Sequence, residues 1–292
     1  ASTTRMKAPV AAGGTSRAAP VVRWATRFSS RSVRPCAYSS GPRPYLHPVT
    51  TLAGTTVTEL APADHLHHLG VGVAVPDVEG HNFWGGRTFV RDQGPTELDN
   101  HGSQRHTAFQ LSDPDGFVEE LRWVAAGREL LHERRTVAAT ALTATAWALD
   151  FTFSLTNTTS GTLTIGSPAT NGRPGAAYGG FFWRARKEQA PPDVFTARAH
   201  GESEVHGHRA DWLALAGGDW TLVFAGATER TRQDPWFVRT TEYPGVGSSL
   251  AHGERLAIAP GGTAVRRIVT VVADGRLDRD GASTLVRKAV SP

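Results

Sequence analysis

The chain holds one cysteine, Cys36, in 292 residues. An intrachain disulfide is therefore excluded, as are zinc sites built from two or four cysteines. No apolar run reaches the roughly 18 residues of a membrane-crossing helix. The N-terminus lacks the apolar stretch of about 7–15 residues that marks a secretory signal. Neither a membrane nor a secreted setting is expected, and the cytoplasm is the expected location. No P-loop, Gly-x-Gly-x-x-Gly unit, Gly-x-Ser-x-Gly elbow or fixed-period repeat occurs. This argues against a nucleotide-binding α/β enzyme, a serine hydrolase of that type and a solenoid.

Acid is absent from the first 58 residues: Glu59 is the first carboxylate, and eight basic residues from Arg5 to Arg43 precede it. The whole chain carries 31 basic and 27 acidic residues, a formal charge of +4. Without the eight basic residues of the head, 23 face 27, leaving −4. The basic character belongs to the head, so no nucleic-acid surface is expected on the body. Residues 1–40 are rich in Arg, Ser, Ala and Pro and show no sustained period of 2 or 3.6. That composition fits a transit peptide, a disordered extension or a shifted reading frame in a GC-rich gene, 28 Arg standing against three Lys. The expected organisation is a disordered or non-native head over 1–40 and one domain over 41–292.

The body reads as strands. Turn signals such as Gly85-Gly86, Pro114-Asp115-Gly116 and Gly217-Gly218-Asp219 separate runs rich in Val, Thr, Phe and Trp. The clearest strand is 147–155, with Trp147, Leu149, Phe151, Phe153 and Leu155 on one face. Further strands are expected over 117–124, 221–224, 236–243 and 265–272. A helical pattern occurs only over 278–290. The fold expected is all-β and antiparallel with one short C-terminal helix.

Histidine is concentrated: six of twelve lie between His65 and His106. If Asp64-His65-Leu66-His67-His68 is extended, His65 and His67 share one face and His68 the other. Such a surplus suits metal ligation, proton transfer near neutral pH or polar contacts to a ligand. A His-x-His pair on a strand resembles the first half of a cupin iron site, but the Glu that pattern wants a few residues later is missing, the next carboxylates being Asp77 and Glu79. No cofactor is therefore expected, the alternative being a transition metal on His65, His67 and His81. Two aromatic strands carry arginine. In one, Tyr178, Phe182 and Arg184 alternate with Phe181 and Trp183; in the other, Trp236 and Val238 alternate with Phe237 and Arg239. Flat rings beside guanidinium forks suit a sugar, and a carboxylated or phosphorylated sugar especially.

The segments Arg43-Pro44-Tyr45-Leu46-His47-Pro48, Asp64–Gly70, His81–Gly86, Leu98–His106, Gly172–Arg184 and Pro235–Arg239 occur together and in order. They resemble the bacterial PmoA-like family, labelled "methane oxygenase PmoA", over some 85% of the chain. The label describes a membrane enzyme with several spanning helices, and this chain has no segment for one. The resemblance extends to galactose mutarotases, which implies a large antiparallel β-supersandwich binding sugar in a concave cleft. It also implies proton transfer shared between a His acid and a Glu base, for which Glu242, Glu133 and Glu119 are the candidate carboxylates. The expected function is His/carboxylate proton-transfer chemistry on a sugar or sugar acid: epimerisation, mutarotation or elimination. The alternatives are a His-ligated metal-dependent oxygenase and a non-catalytic carbohydrate-binding module. Candidate catalytic residues are His65, His68, His81 and His106. Candidate substrate contacts are Asn82, Trp84, Arg173, Tyr178, Trp183, Arg184, Trp236 and Arg239. The partner expected is a small-molecule carbohydrate, with no nucleic acid and no membrane; the oligomeric state is open.

Overall fold

A computed structural model describes residues 43–291 together with the backbone of strands Val22–Trp24 and Cys36–Ser39. The fold is mostly β and antiparallel, as the alternating pattern requires. An eight-stranded sheet runs, in spatial order, Asp193–Thr196, Trp212–Ala216, Trp220–Gly226, Thr263–Asp274, Ala146–Asn157, Arg128–Ala141, Gly116–Ala125 and Ser103–Asp113. A seven-stranded sheet runs Val22–Trp24, Cys36–Ser39, Tyr45–Val49, Val71–Ala74, Gly180–Arg184, Gly245–Ser248 and Trp236–Arg239. The compositional boundary after residue 40 thus falls between two paired strands, since Cys36–Ser39 pairs with Tyr45–Val49. Strand Val22–Trp24 of the head pairs in turn with Cys36–Ser39, and the other residues of the head lie outside the described residues.

The two sheets pack face to face. Trp147, Leu149, Phe151, Phe153 and Leu155 are all buried on one side of their strand, in one core with Phe181, Trp183, Val246 and Trp236 of the opposite sheet. Phe151 meets Phe181 and Trp183 meets Phe224, each with ring centroids 5.5 Å apart. A strand that buries one face presents the other to something else, and the two outer faces solve this differently. The eight-stranded sheet carries small residues there (Ala214, Ala225, Val269, Val271), against which Ala282 and Val286 of helix Arg279–Val290 dock. Asp278 starts that helix by accepting a hydrogen bond from the Gly281 N–H, 2.8 Å away. Two single-turn helices absent from the sequence reading, Glu202–Val205 and Glu229–Arg232, lie in the loops.

The outer face of the seven-stranded sheet instead carries aromatic rings: Phe182, Phe237 and Tyr243 cluster there with Trp84. Gly245 and Gly247 of the strand between them make room. A Cβ on Gly245 would stand 3.2 Å from Phe182 Cζ, and one on Gly247 3.0 Å from the Phe181 carbonyl oxygen. The strand expected over 236–243 ends at Arg239, because Glu202 Oε2 accepts from Thr240 N (2.7 Å) and Thr241 N (3.3 Å) and draws the backbone aside.

Candidate functional site

A cleft of about 740 Å³ lies over this aromatic face. Its walls come from four separate parts of the chain: the histidine loop 63–68, the turn at Trp84–Arg87, and residues of the segments 173–178 and 237–243.

The histidine loop is not extended. His65 N donates to the Pro62 carbonyl and His68 N to the His65 carbonyl, each at 2.9 Å, giving two successive turns. Turning replaces the alternation expected of a strand, so His65, His67 and His68 meet instead of dividing between two faces. His65 stacks on His68 with centroids 4.5 Å apart and planes 16° apart, and His67 meets His68 edge-on at 4.7 Å. Tyr243 closes the group, 4.7 Å from His65 and 5.0 Å from His68. Leu66, between them, stands 70% exposed at the rim.

Two devices hold this loop. Arg43 donates to the His67 carbonyl at 2.8 Å and to the Trp84 carbonyl, strapping the histidine loop to the turn that carries Trp84. Burial, and then the charge of Arg135, lowers the Arg43 guanidinium to about 10, so it stays charged at neutral pH. The Gly85-Gly86 pair supplies the space. Both residues have positive φ, 102° and 64°, and a Cβ on either would fall 2.7–2.8 Å from His67 side-chain atoms. Asn82 shapes the same turn from within: its Oδ1 accepts from Trp84 N and Gly85 N, and its Nδ2 donates to Gly86 O and Thr88 Oγ1. Asn82 is thus a buried turn-former and not the substrate contact expected of it.

Arg184 lies beneath the wall, completely buried. It donates to Glu59 Oε2 at 3.0 Å, to both Asp64 carboxylate oxygens at 3.4 Å and to His68 Nδ1 at 3.2 Å. Its guanidinium also sits 4.8 Å from the Tyr243 ring centre. It supports the imidazoles and presents nothing to the cleft, which corrects its expected role as a ligand contact. Burial, then the charges of His67, His65, Arg184 and Arg43, lowers His68 to about 2; burial and the same kind of neighbours lower His67 to about 4. Both rings are neutral at pH 7. Burial raises the Asp64 carboxyl, but Arg184 and His65 outweigh it and hold it below the usual range. Asp64 Oδ2 lies 3.3 Å from His65 Nδ1.

The facing wall carries Tyr178 and Phe237, 5.6 Å apart, flanked by Arg173 and Arg239. Burial pushes the ionisation of the Tyr178 hydroxyl up, and Arg173 partly offsets it. Arg239 lies 4.8 Å from the Phe237 ring centre. Trp84 joins the two walls, 4.6 Å from Tyr178 and 5.9 Å from His68. Glu242 stands at the rim.

Of the expected residues, then, the cleft gathers His65, His68, Trp84, Arg173, Tyr178 and Arg239. Four others lie elsewhere. Trp183 and Trp236 face the sandwich core, donating to the Val57 and Ala210 carbonyls at 3.0 and 2.9 Å. Strand parity is the reason: their neighbours Phe182 and Phe237 take the cleft side. His81 closes a backbone turn with Val78 outside the cleft. His106 belongs to the edge strand Ser103–Asp113, its Nδ1 2.7 Å from Glu119 Oε1. Glu119 is thereby remote from the cleft, and Glu133 is buried against Arg135 and Trp123. His65 and His67 share the cleft without His81, and no group of three His, Cys, Asp or Glu among the described residues is spaced to hold a metal ion. The alternative metal set is not assembled. Sequence reasoning missed Arg43, Phe237 and Tyr243, although parity beside Trp236 was a signal for Phe237.

No helix among the described residues is long and apolar enough to cross a membrane. No curated protein matches the chain. Among solved structures, a polysaccharide lyase is similar at 11% identity and a TM-score of 0.38, over 96% of this chain and 35% of the other. The α-galactosidase from Lactobacillus brevis is similar at 10% identity and a TM-score of 0.40, over 82% and 38%. This chain spans little more than a third of either protein. A family model matches residues 14–287, nearly the whole length, and the chain belongs to that family of unknown function, DUF6807.

Proposed function

We propose that the chain acts on a carbohydrate bound in this cleft, with His65 as the residue that moves a proton. The observation that carries the reading is the convergence of the imidazole loop and the Arg-flanked aromatic wall, from sequence positions over a hundred residues apart, on one concavity. Ligand pockets combine apolar walls with a few convergent polar groups, and sugars stack their apolar faces on aromatic rings while hydroxyls take fixed donors. His65 is favoured over its neighbours on physical grounds. General acid–base catalysis needs a group that exchanges protons near the working pH, and His67 and His68 are held neutral far below it. The Asp64 carboxylate, 3.3 Å from His65 Nδ1, places a negative charge beside the ring. The motif resemblance to PmoA-like proteins and mutarotases supports the same chemistry, with Glu242 as the carboxylate of the pair. The class proposed is epimerisation, mutarotation or elimination.

The test is a panel of neutral sugars, uronates and sugar phosphates, read by tryptophan fluorescence and by turnover. Trp84→Ala is expected to weaken binding. His65→Ala is expected to leave binding within a few-fold and to lower turnover about 10²–10⁴-fold, the usual worth of acid–base catalysis. Full turnover in His65→Ala sinks the proton-transfer role. A second reading, a non-catalytic sugar-binding module, is favoured by the neutrality of two of the three imidazoles, and binding without any turnover across the panel would establish it.

A further inference from the structure

We infer that Arg184 locks His68 as its Nε2–H tautomer, so that His68 serves as a fixed hydrogen-bond donor to a ligand oxygen and not as an acid or base. The inference rests on the carbohydrate reading only for the identity of that oxygen. A guanidinium donates hydrogen bonds and accepts none. Its Nη1 lies 3.2 Å from His68 Nδ1, so Nδ1 supplies the lone pair and the ring proton resides on Nε2. Arg184 cannot turn away: it is fully buried, bonded to Glu59 and Asp64 and packed on Tyr243. The ring is held as firmly, stacked on His65 and in edge contact with His67, Trp84, Phe182 and Tyr243. His68 is one of the residues that line the cleft, and its Nε2 makes no hydrogen bond to another described residue.

The groups facing the ring agree with this assignment. They are Arg184, His65, His67 and Tyr243, with Arg43 strapped to the His67 backbone and Glu59 and Asp64 on Arg184. A proton on Nδ1 would point at a cation. A neutral imidazole donor suits an oxygen that gains negative charge, as in enzymes where a neutral His polarises a carbonyl. That chemistry specifies the substrate as a sugar with a carbonyl or carboxylate next to the reacting carbon. His65 takes the proton from that carbon, the C–H electron pair moves toward the oxygen, and His68 Nε2–H holds the resulting oxyanion. The electron pair then returns, and either the Glu242 carboxyl gives the carbon a proton on its other face, or a leaving group departs from the next carbon with its bonding pair and takes up the proton that His65 carries.

The test is imidazole ¹⁵N NMR on the whole chain from pH 5 to 9, with the His68 signals assigned by their loss in His68→Gln. The expected result is an Nε2–H ring that does not change across this range. An Nδ1–H ring, or a titration between pH 5 and 8, overturns the inference whatever the cleft binds. Arg184→Met is expected to release the ring into mixed tautomers that titrate; the wild-type spectrum stands as the test even if that variant does not fold. With a substrate from the panel, His68→Gln keeps an N–H donor and is expected to retain turnover within about tenfold. His68→Leu should lose about 10²–10³-fold, as when one oxyanion donor is removed, with the pH limbs of the rate unmoved. A shifted limb in His68→Leu makes His68 a proton carrier and refutes the donor role. An Nε2–H ring in a protein that turns over no sugar supports the lock and overturns the proposed function instead.

Discussion

Acidification should destabilise this fold through His68 by an amount its surroundings determine. In the native state the ring is 2% exposed; burial, and then the positive charge around it, lowers it to about 2 from an ordinary imidazole near 6.5. The unfolded chain takes up this proton as pH falls through about 6.5, and the native chain does not. Between those values the unfolded state binds more protons, so stability falls with falling pH and is fully present above pH 6.5. At about 1.4 kcal/mol per pH unit, the loss from pH 8 to pH 5 is about 2 kcal/mol for His68 alone. His67, lowered to about 4 and half-buried, adds a smaller share because solvent screens it. Burial also lowers His47, His206 and His252, which act in the same sense, whereas burial raises Asp234, which opposes them. A difference measurement cancels these groups. Urea unfolding of the wild type and of His68→Gln at pH 8, 7, 6 and 5 gives the stability gap between them. The gap should shift by about 2 kcal/mol in the variant's favour at pH 5. A gap independent of pH would mean that His68 binds its proton as readily folded as unfolded, and the account of its surroundings would be wrong.

Gly86→Ala should cost about 1–3 kcal/mol in denaturant unfolding, because it combines a left-handed φ of 64° with a Cβ 2.8 Å from His67 Cε1; Gly54→Ala, with φ 96° and open space, should cost less. Trp236→Ala should cost about 3–5 kcal/mol of stability as a core truncation and leave the affinity of the folded protein unchanged. A loss of affinity without loss of stability would return Trp236 to the cleft. Asp234→Asn leaves the buried Arg266 guanidinium without its carboxylate, for a loss of about 3–5 kcal/mol; the melting temperature measures it. Glu97→Gln, whose carboxylate pairs with Arg87 where both are well exposed, should change stability little.

Much of the fold was legible in the sequence because burial writes a period. The strand Ala146–Asn157 alternates as read, and the helix begins after Asp278, the residue whose side chain caps it. Parity also foretold that Phe181 and Trp183 would oppose Phe182 and Arg184. It does not say which set meets the core: Trp183 and Trp236, expected at the sugar, face the core, and Phe182 and Phe237 take the other side. The histidine loop exceeded any periodic reading, since two turns of hydrogen bonds outside regular structure stack His65 on His68. The density of histidine in the sequence marked the place of the cleft. Only tertiary contacts separated members from bystanders: His106 sits on the edge strand with Glu119, His81 in a remote turn, Arg184 reaches the His68 imidazole from 116 residues away, and Arg43 reaches the His67 backbone carbonyl from 24. A residue's own type states what it can donate or accept. Which proton it holds is decided by the partner that the fold places beside it.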